Sequence, residues 1–278
     1  MCDIYLSNDR GNEMMELSKY QRLLLQLENR VLTITLNRPE QLNATDQLMH
    51  TELSNIFHEI SGEPEIDVVV LTGAGKAFSA GGGYDSMLLS IEHPQRWDRM
   101  AIEAKRIVFS MLECQKPIIA KVNGHAVGFG CTLALYADLV FMNEAAKIGD
   151  PHVNIGYVAG DGGAAIWAQR IGYTKAKEYL LTGELLTGRK AAEIGLINHA
   201  LPPEELDAAV ENCVAKLLAK PAKALQWTKL TMNVGMKQLV HPVMEAGIAY
   251  EYLSVRTEDH REAVEALRDK RTPIFKGY

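Results

Sequence analysis

Cysteine is scarce and scattered. Cys2, Cys114, Cys131 and Cys213 are the only four in 278 residues, and no two form a CxxC pair. The spacing gives no support to a zinc site or a disulfide framework. Reduced thiols are expected, mostly as small core residues in a cytoplasmic protein, with no metal bound. Long apolar runs are also missing; nothing approaches the roughly 20 residues that span a bilayer. The opening segment MCDIYLSNDRGNEMMEL has no basic stretch leading into an apolar one, so a polar extension is expected rather than a secretory signal. Positive charge is in short supply too. Lys and Arg number 29 against 35 Asp and Glu, a net charge of -6. That balance argues against a surface built to neutralise nucleic-acid phosphates, and leaves room only for a local basic pocket.

What is present is apolar and patterned. A 47% hydrophobic content over this length suffices for a sizeable core. Residues 22–27 and 31–36 read as strands around a turn at Glu28-Asn29-Arg30. Leu48, Leu53, Ile56, Phe57 and Ile60 recur at helical spacing from about Thr45 until Gly62. Residues 67–72 (DVVVLT) and 117–122 (PIIAKV) are apolar on both faces, as buried strands are. The first is followed by the glycine-rich AFSAGGG and a long helix over 96–113, the second by NGHAVGFG and a helix over 131–136. A further strand is expected over 138–142. Beyond Gly162 helices dominate: Thr187 reads as an N-cap, Glu204–Lys220 carries an apolar face, and two or three helices follow Pro221. The pattern is α/β, a single core with a helical C-terminal region packed on it.

The motifs LNRPEQLNA (36–44), AFSAGGG (77–83) and KPIIAKVNGHAVGFG (116–130) resemble the crotonase, or enoyl-CoA hydratase/isomerase, superfamily. So do the block 138–163, LTGELLTGRKAAEIGLIN (181–198) and the tail RTPIFKG (271–277). The resemblance runs over roughly residues 20–278. It implies a spiral of ββα units over 21–205 after an N-terminal extension over 1–20, and a helical trimerisation region over 206–278. Trimers, often paired into hexamers, are the implied assembly. The implied substrate is a small carbonyl compound or an acyl-CoA thioester, with no cofactor required and neither nucleic acid nor membrane as partner.

By family position, main-chain N–H groups of Gly82 and Phe129 form an oxyanion hole. Glycine lets the main chain approach a ligand, and the helix beginning near Phe129 adds favourable potential for negative charge. The two glutamates of ordinary enoyl-CoA hydratases fall on Thr132 and His152, so both usual acid/base groups are gone. The segment DPHVNIGYVAGDGG (150–163) resembles instead the 6-oxocamphor hydrolase branch, which cleaves β-diketones by retro-Claisen chemistry. There a His and an Asp at the places of His152 and Asp161 form a dyad, and a glutamate matches Glu251. A further histidine of that branch falls at or near Phe129 and is absent here. Neutral imidazole oriented by a carboxylate can take a proton from water. The expected reaction is therefore hydrolysis of a C–C bond between carbonyls, with enoyl-CoA hydration or isomerisation as the alternative.

Each of these residues also has a plainer reading. Asp161 between two glycines could cap a helix, Glu251 could sit on a solvated helix face, and His125 is taken as structural. Tyr84, Asp85, Thr132 and Tyr157 are expected around the substrate pocket; Asp85 stands where the family often has lysine. Asn43, Ala44 and Lys276 are the candidates for holding a CoA moiety.

Overall fold

The computed structural model describes residues 17–278, so most of the expected N-terminal extension, and Cys2 with it, lies outside the described residues. A hairpin opens the chain. Strands β1 (Leu23–Glu28) and β2 (Val31–Leu36) pair antiparallel, with Leu25 opposite Ile34. Asn29 and Arg30 both take positive φ, 49° and 67°, as a two-residue turn matched to strand twist demands. Helix α1 (Gln47–Ser61) starts two residues later than the apolar spacing suggests, because Asp46 caps it by accepting from the Met49 amide at 2.8 Å.

From here the chain repeats a strand, a second short strand and a helix. Strand β3 (Val68–Gly73) is followed by β4 (Ala77–Ser79), α2 (Tyr84–Glu92) and α3 (Arg96–Glu113). Then come β5 (Ile118–Val122), β6 (His125–Val127) and α4 (Phe129–Leu135). The third repeat is β7 (Leu139–Asn143), β8 (Lys147–Gly149) and α5 (Gly163–Thr182). The first strand of each repeat joins a six-stranded sheet in the order β1-β2-β3-β5-β7 and a final β10 (His199–Leu201). The second strands form a separate sheet, β4-β6-β8, closed by β9 (Leu186–Thr187). This is the expected crotonase-type spiral of ββα units. At two or three residues each, the strands of the second sheet are too short to leave an alternating pattern in the sequence.

Thr187 caps α6 (Gly188–Glu193) as its position suggests, accepting from Lys190 N. Helix α7 (Pro203–Leu218) lays Leu206 and Val210 against Val68, Val70, Ile119 and Phe141, covering the second face of the large sheet. Residues past 206 therefore share a core with the spiral. The region after Pro221 resolves into two helices, a 33-residue α8 (Ala222–Ser254) and α9 (Glu258–Asp269). Pro242 lies within α8, which continues past it. Among the described residues no helix is long and apolar enough to cross a membrane.

Candidate active site

The ends of the second sheet converge on one small cavity of about 90 Å³. Gly82, Phe129, His152, Tyr157, Asp161 and Glu251 line it together, although they come from four separate stretches of chain. Close backbone approach makes this possible. Gly81 has φ +85°, and a Cβ on it would sit 2.5 Å from Val127 O and 3.4 Å from Phe129 N. Only glycine lets the two loops touch there. Thr45 N donates to Gly81 O at 2.7 Å and pins the first loop to the chain ahead of α1. The amides of Gly82 and Phe129 donate to no acceptor in the chain among the described residues, and both residues line the cavity. Helix α4 has seven residues, so these individual N–H groups matter more for an anion than its short dipole does.

His152 follows β8 in a single 3-10 turn and is 9% exposed. Its partnership differs from the expected one. The Nδ1 atom lies 2.6 Å from Asp150 Oδ1 as an ion pair, lacking the in-line alignment of a full hydrogen bond. Asp161 instead accepts from the Thr132 hydroxyl and from Gly163 N, both at 3.1 Å. Asp161 is still close, since one side-chain atom each of Asp150, His152 and Asp161 lie within 4.8 Å of one another. The 2.6 Å contact places an Asp150 oxygen directly against the ring nitrogen. Glu251, from α8, completes the wall against Gly160, where a Cβ would come within 2.7 Å of its Oε2.

One imidazole among three buried carboxylates has clear electrostatic consequences. Burial opposes charge on His152, yet Asp150 and then Asp161 outweigh it and push the ring up to about 10. These carboxylates favour the charged ring over the neutral imidazole base expected from the sequence. Burial raises Glu251 well above the ordinary carboxylate range, and Asp161 adds to the effect. Asp161 is raised by burial as well, with His152 and the bonds from Gly163 and Thr132 pulling the other way. Of the two, Asp161 is the better placed to hold a negative charge. Tyr157 is raised by burial and by Glu251, and its ring stacks on His260 at 4.2 Å.

Several expected pocket residues lie elsewhere. Thr132 sits behind the cavity, 1% exposed, and acts on it only through Asp161. Tyr84 and Asp85 begin α2 outside the lining; Asp85 is exposed, and the buried Tyr84 hydroxyl makes no hydrogen bond. Asn43 does not offer its side chain to a ligand. It is wholly buried, accepting from Arg38 N and donating to Ala74 O and Ala77 O. Ala44 is buried with its carbonyl bonded to Arg38, and Lys276 is exposed, its main chain tied to Asp259. Neither lines the cavity.

The cavity also recruits residues the motifs left out. Asp150 stands behind the lining, against His152, and is signalled only by its place two residues before the histidine. His50 is part of the lining. It looks like any α1 residue in sequence, yet it lines the cavity with Nδ1 bound to Glu103 at 2.8 Å. Met87, Trp97 and Met100 supply an apolar wall from α2 and α3.

The description of the enoyl-CoA hydratase/isomerase family matches residues 26–278. The chain belongs to that family. It is 32% identical to a 2,3-dehydroadipyl-CoA hydratase of Escherichia coli K12, over 92% of this chain and 98% of the relative. A crotonyl-CoA hydratase of Syntrophomonas wolfei is 30% identical over the same shares, 92% and 98%. The crystal structure of an enoyl-CoA hydratase/isomerase from Mycobacterium paratuberculosis superposes with a TM-score of 0.84 at 34% identity, covering 88% of this chain and 97% of that one.

Proposed function

We propose that this family member hydrates or isomerises a short enoyl thioester, holding the thioester oxygen between the Gly82 and Phe129 amides. Asp161 is the base and Glu251 the acid. The observation that carries the reading is the meeting, in one cavity, of two unpaired amides and a carboxylate oriented by Thr132. Thr132 and His152 occupy the places of the usual glutamates, so the carboxylates reach the cavity from other elements, Asp161 ahead of α5 and Glu251 from α8. The hydratase names of the relatives support a thioester substrate.

The chemistry balances as follows. Asp161 takes a proton from water as the water oxygen bonds to the β-carbon. The double-bond electrons move toward the carbonyl, giving an enolate whose oxygen the two amides hold. Protonated Glu251 then delivers its proton to the α-carbon, and solvent exchange resets both carboxyls. Each amide donor contributes about 2.7–4 kcal/mol to such a transition state. The small cavity with its Met87, Trp97 and Met100 wall suits a short acyl chain.

A second reading is hydrolytic C–C cleavage of a β-diketone or β-ketoacyl thioester, in the manner of the 6-oxocamphor hydrolase branch. It draws support from His152, Asp161 and Glu251 sharing one wall. Because the His152 ring already carries a proton, Asp161 rather than His152 would activate the water. One experiment separates the two: incubate the protein with crotonyl-type thioesters and with free and thioester β-dicarbonyls, following enoyl absorbance and product mass. Loss of the conjugated thioester without dicarbonyl cleavage supports hydration; cleavage alone reverses the order. Trimer formation is a further expectation, supported by exposed Trp227, Met232 and Val234 on α8, and light scattering tests it.

A further inference from the structure

Asp150 takes no part in the proposed hydration, yet it is a buried carboxylate set directly behind the cavity wall. It is 2% exposed. Its Oδ1 faces His152 twice, 2.6 Å from ring Nδ1 and 3.3 Å from the main-chain N–H. Its Oδ2 has no hydrogen-bond partner and lies against Gly163, where a Cβ would come within 2.2 Å. A glycine at 163 is thus required for this carboxylate to fit. Asp161 is held differently: its Oδ1 accepts from Thr132 and Gly163 N, while its buried Oδ2 has no hydrogen-bond partner among the described residues.

The opposite edge of the ring has a different outlook. His152 Nε2 has no hydrogen-bond partner among the described residues and lies against Gly128, 3.4 Å from where a Cβ would stand. Gly128 holds φ +55° and immediately precedes the Phe129 amide. Asp150 therefore lies against one ring nitrogen, and the other lies beside Gly128, the residue before the Phe129 amide.

We propose that Asp150 is a positioning residue: it clamps His152 as an imidazolium whose Nε2–H gives the substrate carbonyl oxygen a third hydrogen bond beside the Gly82 and Phe129 amides. The inference rests on the carbonyl-binding role of those amides. The charged and titratable groups facing the ring are Asp150 from the end of β8, Asp161 ahead of α5, Glu251 from α8 and Tyr157 from the intervening loop. His260 stands behind Tyr157, and His50 with Glu103 lines the far side of the cavity. Three acidic groups around one ring favour its cationic form whichever of them holds a further proton. A cationic donor at an oxyanion is stronger than a neutral one.

The test uses the full chain with ¹⁵N-labelled histidine, the His152 signals being assigned by their loss in His152→Gln. In the wild type both ring nitrogens are expected to be protonated at neutral pH. Asp150→Asn keeps the shape and removes the charge, and should lower the ring's titration midpoint by about 1–3 pH units. Assayed between the two midpoints, where the wild-type ring is charged and the variant's is not, kcat on a crotonyl-type thioester should fall toward the loss of about 10²–10³-fold expected for one oxyanion donor, with KM little changed. Asp161→Asn should move the ring's midpoint less than Asp150→Asn does. A neutral ring in the wild type overturns the proposal, and needs no variant to fold. An unmoved midpoint or undiminished kcat in a folded Asp150→Asn does so as well. If the wild type acts on no carbonyl compound, the functional reading fails, while the ring titration still decides whether Asp150 is a clamp.

Discussion

Removing the Thr132 hydroxyl should shift the acidity of Asp161 by a definite amount. Thr132→Val preserves shape, and at 1% exposure the site admits no compensating water from bulk. Asp161 would keep one hydrogen bond, from Gly163 N at 3.1 Å, and lose the one from Thr132 at 3.1 Å. A hydrogen bond to a charged group is worth about 1.5–3 kcal/mol. At 1.36 kcal/mol per pH unit, that becomes a rise of about 1–2 units in the Asp161 value. The direction adds to the existing one, since burial already raises Asp161. If Asp161 is the base, the acid limb of the kcat/KM profile on a crotonyl-type thioester should move upward by the same amount.

The stability effect has a matching sign. A carboxyl whose folded-state value lies above its unfolded one binds more protons when folded, so its contribution is present at low pH and is lost as pH rises through the folded value. Thr132→Val should equal the wild type in acid unfolding experiments below the ordinary carboxylate range. It should then fall progressively behind as pH rises. An unchanged acid limb together with pH-independent destabilisation would refute the assignment of Asp161 as the base and leave Thr132 a packing residue.

Three further outcomes are expected. His152, raised to about 10, stabilises the fold fully below its ordinary value near 6.5 and loses that contribution as pH climbs to about 10; His152→Gln should flatten this slope in denaturant titrations. Gly81→Ala would drive a Cβ to 2.5 Å from Val127 O and separate the two amide-bearing loops, so kcat should fall about 10²–10³-fold while circular dichroism stays native. Glu103 accepts from Gln47, His50, Thr51 and Arg99; burial opposes its ionisation, but these bonds hold it down at about 2. Glu103→Ala strands those donors and should cost about 1–3 kcal/mol, read as a lower denaturant midpoint.

The elements most legible in the sequence were those whose environment leaves a periodic trace. Val68–Leu71 is buried throughout, and an unbroken apolar run announced it. Helix α1 showed its apolar stripe, though not that Asp46 would fix its first residue. The short strands β4, β6 and β8 left no trace, because three residues cannot display a period. Asn43 shows why a letter is not enough: a buried amide bonded to three backbone groups looks, as a letter, the same as one whose side chain contacts a ligand.

The site divides the same way. The glycine-rich loops and the order of motifs fixed the family and the pair of amides, since close approach of backbone to ligand demands glycine at particular places along the chain. Which carboxylate faces which nitrogen was not written there. His152 has Asp150 two residues away and Asp161 nine residues away in sequence; only the folded chain places the Asp150 oxygen 2.6 Å from the ring nitrogen while Asp161 accepts from Thr132 and Gly163. The charge of that ring likewise depends on Glu251, brought from α8 into the same buried wall. Ionisation is set by how many charges share a small volume without water, and that number exists only once distant segments have been packed together.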